Sequence, residues 1–154
     1  MLVWKALHII SMFTMVAGFI GVEVFYAAAI RRRDVRAAAF VQRTLEKTGF
    51  GPLAFVALLA GIVFGLLTAA TGGFDFTQGW LVGAYVLLGF FVVNAVIAGN
   101  PVVKAGKASI EAEEGRGSIE EVAASLPVGR ATYIVLANAA TFTAIVLLMV
   151  LKPF

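Results

Sequence analysis

Four long apolar stretches, at about residues 3–30, 51–71, 80–100 and 129–151, alternate with shorter segments that hold most of the charge. Each stretch can cross about 30 Å of hydrocarbon as an α-helix rising roughly 1.5 Å per residue. Strands of a membrane barrel would instead alternate apolar and polar side chains at period two, which these stretches do not. The pattern predicts an all-α, polytopic membrane protein, a four-transmembrane-helix up-and-down bundle with residues 1–154 forming a single domain. The first stretch continues through Val24-Phe25-Tyr26, beyond the short apolar core of a secretory signal, and reads as a retained span.

The polar segments differ in organisation. Between the first and second spans lies "RRRDVRAAAFVQRTLEK", which reads as a basic loop. Between the third and fourth, Asn100-Pro101 ends or bends the span, and a helix can resume through "VVKAGKASIEAEE". "GSIEE" then matches a capping box, with Ser118 accepting from the Glu121 N–H and the Glu121 carboxylate reaching back to Ser118. Pro127 stops this short helix, so the segment is expected to be a helical hairpin lying at the membrane.

Ten of the twelve Lys and Arg residues fall in these two segments; Lys5 and Lys152 lie at the opposite side, and the "TGGFDFTQG" turn has none. The positive-inside rule therefore predicts a multi-pass protein of the cell (inner) membrane, with both termini outside and both charged loops in the cytoplasm. A net charge of +3 would raise the question of nucleic acid in a soluble protein. Here the juxtamembrane arginines read as determinants of topology, and no nucleic-acid partner is expected.

Composition narrows the chemistry. Apolar residues make up 61% and charged residues 14%, which fits a chain whose main partner is the lipid bilayer. The absence of cysteine excludes a disulfide framework, a thiolate metal site, an iron–sulfur cluster and a Cys nucleophile. No nucleotide loop, hydrolytic triad or zinc motif occurs, and nothing assembles a catalytic constellation.

The residues that draw attention are polar ones inside the spans. Glu23 lies toward the cytoplasmic end of the first span, and Asn94 and Asn138 fall near the same depth in the third and fourth. A carboxyl in hydrocarbon needs a partner or a proton, so two readings stand open: an interhelical cluster of Glu23, Asn94 and Asn138, closed by an Arg of the 31–36 run, or a proton or cation pathway. The only histidine, His8, sits about two turns inside the outer surface, below Trp4 and Lys5. Its imidazole can bond a backbone carbonyl or a hydroxyl such as Thr68 or Thr71, or it can ligate a metal. Met12 and Met15 share its face, and Ala17, Gly18 and Gly21 supply small residues for close helix packing.

"WKALHII" followed by "AGF", then "GIVFGLLTAATGG" and "GWLVGAYVLL", resemble HemJ-type protoporphyrinogen oxidases and CopD-type copper-resistance membrane domains. The whole chain is also similar to a group of predicted integral membrane proteins known as a domain of unknown function. The oxidase resemblance implies b-type haem with His8 as axial ligand in the gap between the first three spans, where Gly18, Gly61 and Gly65 would admit a flat macrocycle. The lysine that follows the tryptophan in those enzymes has no counterpart after Trp80-Leu81, which leaves a five-coordinate haem, or one with an unusual second ligand such as Tyr85, Met12 or Met15. The copper resemblance implies a His8–Met149 pairing.

Three functional readings follow. One is a non-catalytic subunit or scaffold that packs against a membrane-protein partner or a second copy, with Gly61-x-x-x-Gly65 as a close-packing motif. Another is a haem-binding redox protein. The third is a small proton-coupled transporter using Glu23.

Overall fold

The apolar stretches become α1 (Leu2–Arg31), α3 (Phe50–Thr71), α4 (Gly79–Glu113) and α6 (Val128–Leu151) in a computed structural model that describes residues 1–152. Two shorter helices, α2 (Val35–Thr48) and α5 (Ile119–Ser125), fill the polar segments. The four long helices are apolar enough to span a bilayer and pack together.

The segment expected to be a basic loop is the helix α2. Asp34 starts it by accepting a hydrogen bond from the Ala37 N–H at 2.9 Å, and Gly49 ends it in the left-handed region at φ 65°. Between these caps, Val35, Ala38, Ala39 and Gln42 fall on one face and are buried. The three preceding arginines drew attention to charge and concealed this spacing.

Helix α4 likewise does not end at Asn100-Pro101. Pro101 costs the Ile97 carbonyl its usual donor, yet the helix runs on to Glu113, about 52 Å in all. Its last four turns stand beyond the apolar layer and carry α2 against them. Gly106 leaves room there for Tyr26 of α1, whose hydroxyl donates to Gln42 Oε1. Around this contact Tyr26, Ala27, Ile30, Val102, Leu126 and Ala131 form an apolar core at the charged end of the bundle.

The rim of this end is polar. Arg43 pairs with Glu113 at 2.6 Å and more loosely with Glu114 at 3.6 Å. Arg33 donates to the Ala123 and Ala124 carbonyls near the end of α5, at 2.9 and 3.0 Å. The capping box is half made: Ser118 Oγ accepts from the Glu121 N–H at 3.3 Å, but its hydroxyl donates to Glu120 rather than receiving the arm of Glu121. The Glu120 backbone N–H and the Ser118 hydroxyl hold the Glu120 carboxyl below the usual range.

Within the apolar layer, α1 packs on α3 and α4 on α6, and the two antiparallel pairs join through α1 and α6. Consecutive α3 and α4 share clusters instead of a full helix–helix seam. Ala69, Trp80 and Leu81 gather near the turn between α3 and α4, and Met15, Ala57, Leu58 and Phe91 gather deeper. At the turn, Asp75 accepts from the Thr77 N–H and hydroxyl, which hold its carboxyl below the usual range. The Lys152 ammonium lies 4.2 Å from the Phe74 ring centre.

Lipid tails are as apolar as the side chains, so helix association here rests on close packing. Gly18 faces Ala54, Gly61 faces Met12, and Gly65 lies under the His8 ring. The Gly61-x-x-x-Gly65 motif is thus used within the chain.

This packing separates two substitutions. A Cβ at position 18 would meet both Cβ and Cα of Ala54, whereas one at 61 meets the movable end of Met12. Gly18→Ala should therefore destabilise by about 1–3 kcal/mol through overpacking. Gly61→Ala should cost distinctly less in thermal unfolding of the detergent-solubilised protein.

Candidate functional site

Three helices each bring one polar side chain to the same depth. Asn94 lies about 22 Å along α4 from Gly79, in the part of the apolar layer nearer the charged end. Asn138 of α6 is fully buried beside it, and Glu23 approaches from α1. The Asn94 amide donates to Asn138 Oδ1 at 2.8 Å, and the Asn138 amide donates to Glu23 Oε1 at 2.7 Å. One side-chain chain thus ties α4, α6 and α1.

The chain stops at Glu23 Oε2, which is buried and has no hydrogen-bond partner. No arginine of the 31–36 run closes it among the described residues; Arg33 is held at α5 instead. A buried carboxyl oxygen without a donor is costly unless a proton or a cation neutralises it.

Beside Glu23 lies a cavity of about 250 Å³. Its walls come from all four spans and from α2: Phe19 and Tyr26 of α1, Leu45 of α2, Gly51 of α3, Val102 of α4 and Ile134 of α6. Small residues make the space, because Gly18, Gly51, Ala54 and Gly99 take little of the volume between the helices. The Tyr26 hydroxyl is committed to Gln42, which in turn donates to Glu46 at 2.7 Å. Among the described residues no Lys or Arg lines the cavity. Such a wall suits a ligand that brings positive charge or donors of its own and an apolar body.

Tyr26, Leu45 and Gln42 were not singled out in the sequence. The signal for Gln42 and Leu45 was the helical spacing of Val35, Ala38, Ala39 and Gln42, which places Leu45 a turn further along the same helix, whereas Tyr26 on α1 carried none.

His8 lies elsewhere. Its Nδ1 donates to the Gly61 carbonyl at 2.7 Å, so in the neutral ring Nε2 keeps the lone pair. Thr68 and Thr71 are not its partners; they donate to the Phe64 and Leu67 carbonyls of their own helix. The ring rests on Gly65, Met12 covers Gly61, and Ala54 faces Gly18, so side chains occupy the gap that a macrocycle would need. Met12 shares the helix and face of His8 and cannot approach from the opposite side of a ring. Met15 is buried with Ala57, Leu58 and Phe91, while Tyr85 is 38% exposed on α4. The residues present do not fit a haem held between α1 and α3. Met149 packs against Ala69, Trp80 and Leu81, and among the described residues no three His, Cys, Asp or Glu side chains gather as a metal-ligand set.

Asn138 is the joint of the polar chain. Asn138→Ala leaves the Asn94 amide and Glu23 Oε1 without their partner, and the expected loss is about 1–3 kcal/mol in detergent unfolding. Adding Glu23→Ala and Asn94→Ala should recover part of that loss, because the stranded groups are then gone. A triple variant that loses stability additively would show that the three side chains do not act together.

No curated protein and no solved structure matches the chain. A family model described as a predicted integral membrane protein matches residues 2–153, nearly the whole length that forms the bundle and its charged end. The chain belongs to this family, DUF2269.

Proposed function

We propose that the protein is a small proton-coupled transporter whose site is the Glu23 cavity, and that it takes a small amphiphilic ammonium compound in exchange for a proton. The observation that carries this reading is the unpartnered Oε2 of a carboxyl in the wall of an otherwise apolar cavity. A cation supplies the missing charge, and Phe19 and Tyr26 offer aromatic faces to it. Asn138 holds Oε1 and so fixes the carboxyl without neutralising it. Every span contributes to the wall, so a shift of one helix pair against the other changes access to the site.

The alternative of a non-catalytic subunit or scaffold calls for a face shaped for a partner. The small-residue motif that would supply one is occupied by Met12 and His8. We place the charged end in the cytoplasm and both termini outside, in the cell (inner) membrane, on the bias of Lys and Arg.

Binding of benzyltrimethylammonium to the purified protein tests the site. Affinity should weaken as pH falls, because protons compete for the same oxygen, and Glu23→Gln should abolish it. Equal binding by wild type and Glu23→Gln would overturn the assignment. In proteoliposomes, an inward gradient of the same cation should drive protons outward, and binding without proton movement would leave a receptor rather than a transporter. Orientation has its own test, since the chain has no cysteine. In intact cells a membrane-impermeant maleimide should label Asp75→Cys and spare Arg36→Cys.

A further inference from the structure

The outward face of α2 is unusual for a helix beside a membrane protein's charged end. Opposite its buried residues, Arg36, Phe40, Thr44 and Lys47 follow one another at spacings of three or four, all exposed, and Phe40 is 70% exposed. Arg31 and Arg32 are exposed just before the helix. Among the described residues none of Arg31, Arg32, Arg36 and Lys47 forms an ion pair, while Arg43 on the flank is taken by Glu113 and Glu114.

Depth distinguishes this stripe from an ordinary aqueous surface. Trp4 and Lys5 mark one boundary of the bilayer on α1, and about 30 Å of hydrocarbon brings the other to the neighbourhood of Phe25 and Tyr26. Tyr26 is hydrogen-bonded to Gln42, which fixes the middle of α2 at that level. Phe40 and its flanking cations therefore stand where glycerol and phosphate groups lie. Phe25 of α1, at the same height, is 68% exposed.

We propose that α2 is an interfacial platform for anionic phospholipid, with Phe40 inserted among the upper acyl chains and Arg31, Arg32, Arg36 and Lys47 on the phosphates. An aromatic wedge combined with unpaired cations suits a negatively charged leaflet, where each Lys or Arg near the surface adds about 1 kcal/mol of attraction, or roughly five-fold in affinity. A soluble acidic partner would satisfy the charges but leave Phe40 in the headgroup layer without a role. The platform is independent of the ligand in the Glu23 cavity.

The full chain carrying Phe40→Trp, reconstituted in phosphatidylcholine vesicles with and without phosphatidylglycerol, tests the placement; the unsubstituted protein supplies the Trp4 and Trp80 background. The added tryptophan should emit at short wavelength, be quenched by lipids brominated near the glycerol end of the chain, and resist aqueous iodide. With spin-labelled lipids, the preference for phosphatidylglycerol over phosphatidylcholine should fall about five-fold for each charge removed in Arg36→Gln and Lys47→Gln. Quenching by iodide but not by brominated lipid would place Phe40 in water and overturn the proposal. A lipid preference unchanged in both charge variants would overturn it equally.

Discussion

In hydrocarbon a polar side chain has no water to turn to, and the bundle is arranged around three that turn to one another. Asn138 donates to Glu23 and accepts from Asn94, joining α1, α6 and α4 at one depth. These helices have no hydrophobic driving force toward each other inside the lipid, so a directional contact sets their register where apolar packing alone would tolerate sliding. The same chain leaves one carboxyl oxygen over, because the Asn138 amide reaches Oε1 and no donor among the described residues reaches Oε2. On the function proposed above, stability and ligand binding share a residue.

Two kinds of core hold the remainder. Along α1 and α3, glycine and alanine let the backbones approach, and Met12 and His8 fill what the glycines leave. At the charged end, Tyr26, Ile30, Val102 and Leu126 pack together beside the polar segments, where apolar area taken out of water stabilises in the ordinary way. The protein is therefore a membrane bundle with a small water-side core built on the extension of α4. The cavity lies at the meeting of these two regions, where Leu45 of α2 faces Gly51 and Val102 of the spans.

Much of the architecture could be read from the chain. An apolar run of some twenty residues has no way to satisfy its backbone in lipid except as a helix, so α1, α3, α4 and α6 followed from hydropathy alone. Glu23, Asn94 and Asn138 stood out because hydrocarbon tolerates such side chains poorly. Helix α2 was hidden because its buried face, Val35, Ala38, Ala39 and Gln42, carries few large apolar residues, and it is buried only because α4 comes close, with Gly106 against Gln42. The resumption of helix past Pro101 was legible in the sequence, whereas its continuity through the proline was not, since the cost of the missing N–H is local and packing against α2 supports the helix beyond it.

The number and length of the spans and the segregation of charge were written in the chain residue by residue, because both depend on transfer between water and lipid. Which polar atoms meet was settled by the packed bundle. Whether His8 faces a hydroxyl or the Gly61 carbonyl, whether an arginine reaches Glu23 and whether a glycine stripe holds a cofactor or a side chain all turn on helix rotation and lateral order. Those are fixed by the joint packing of several helices, and no single segment encodes them.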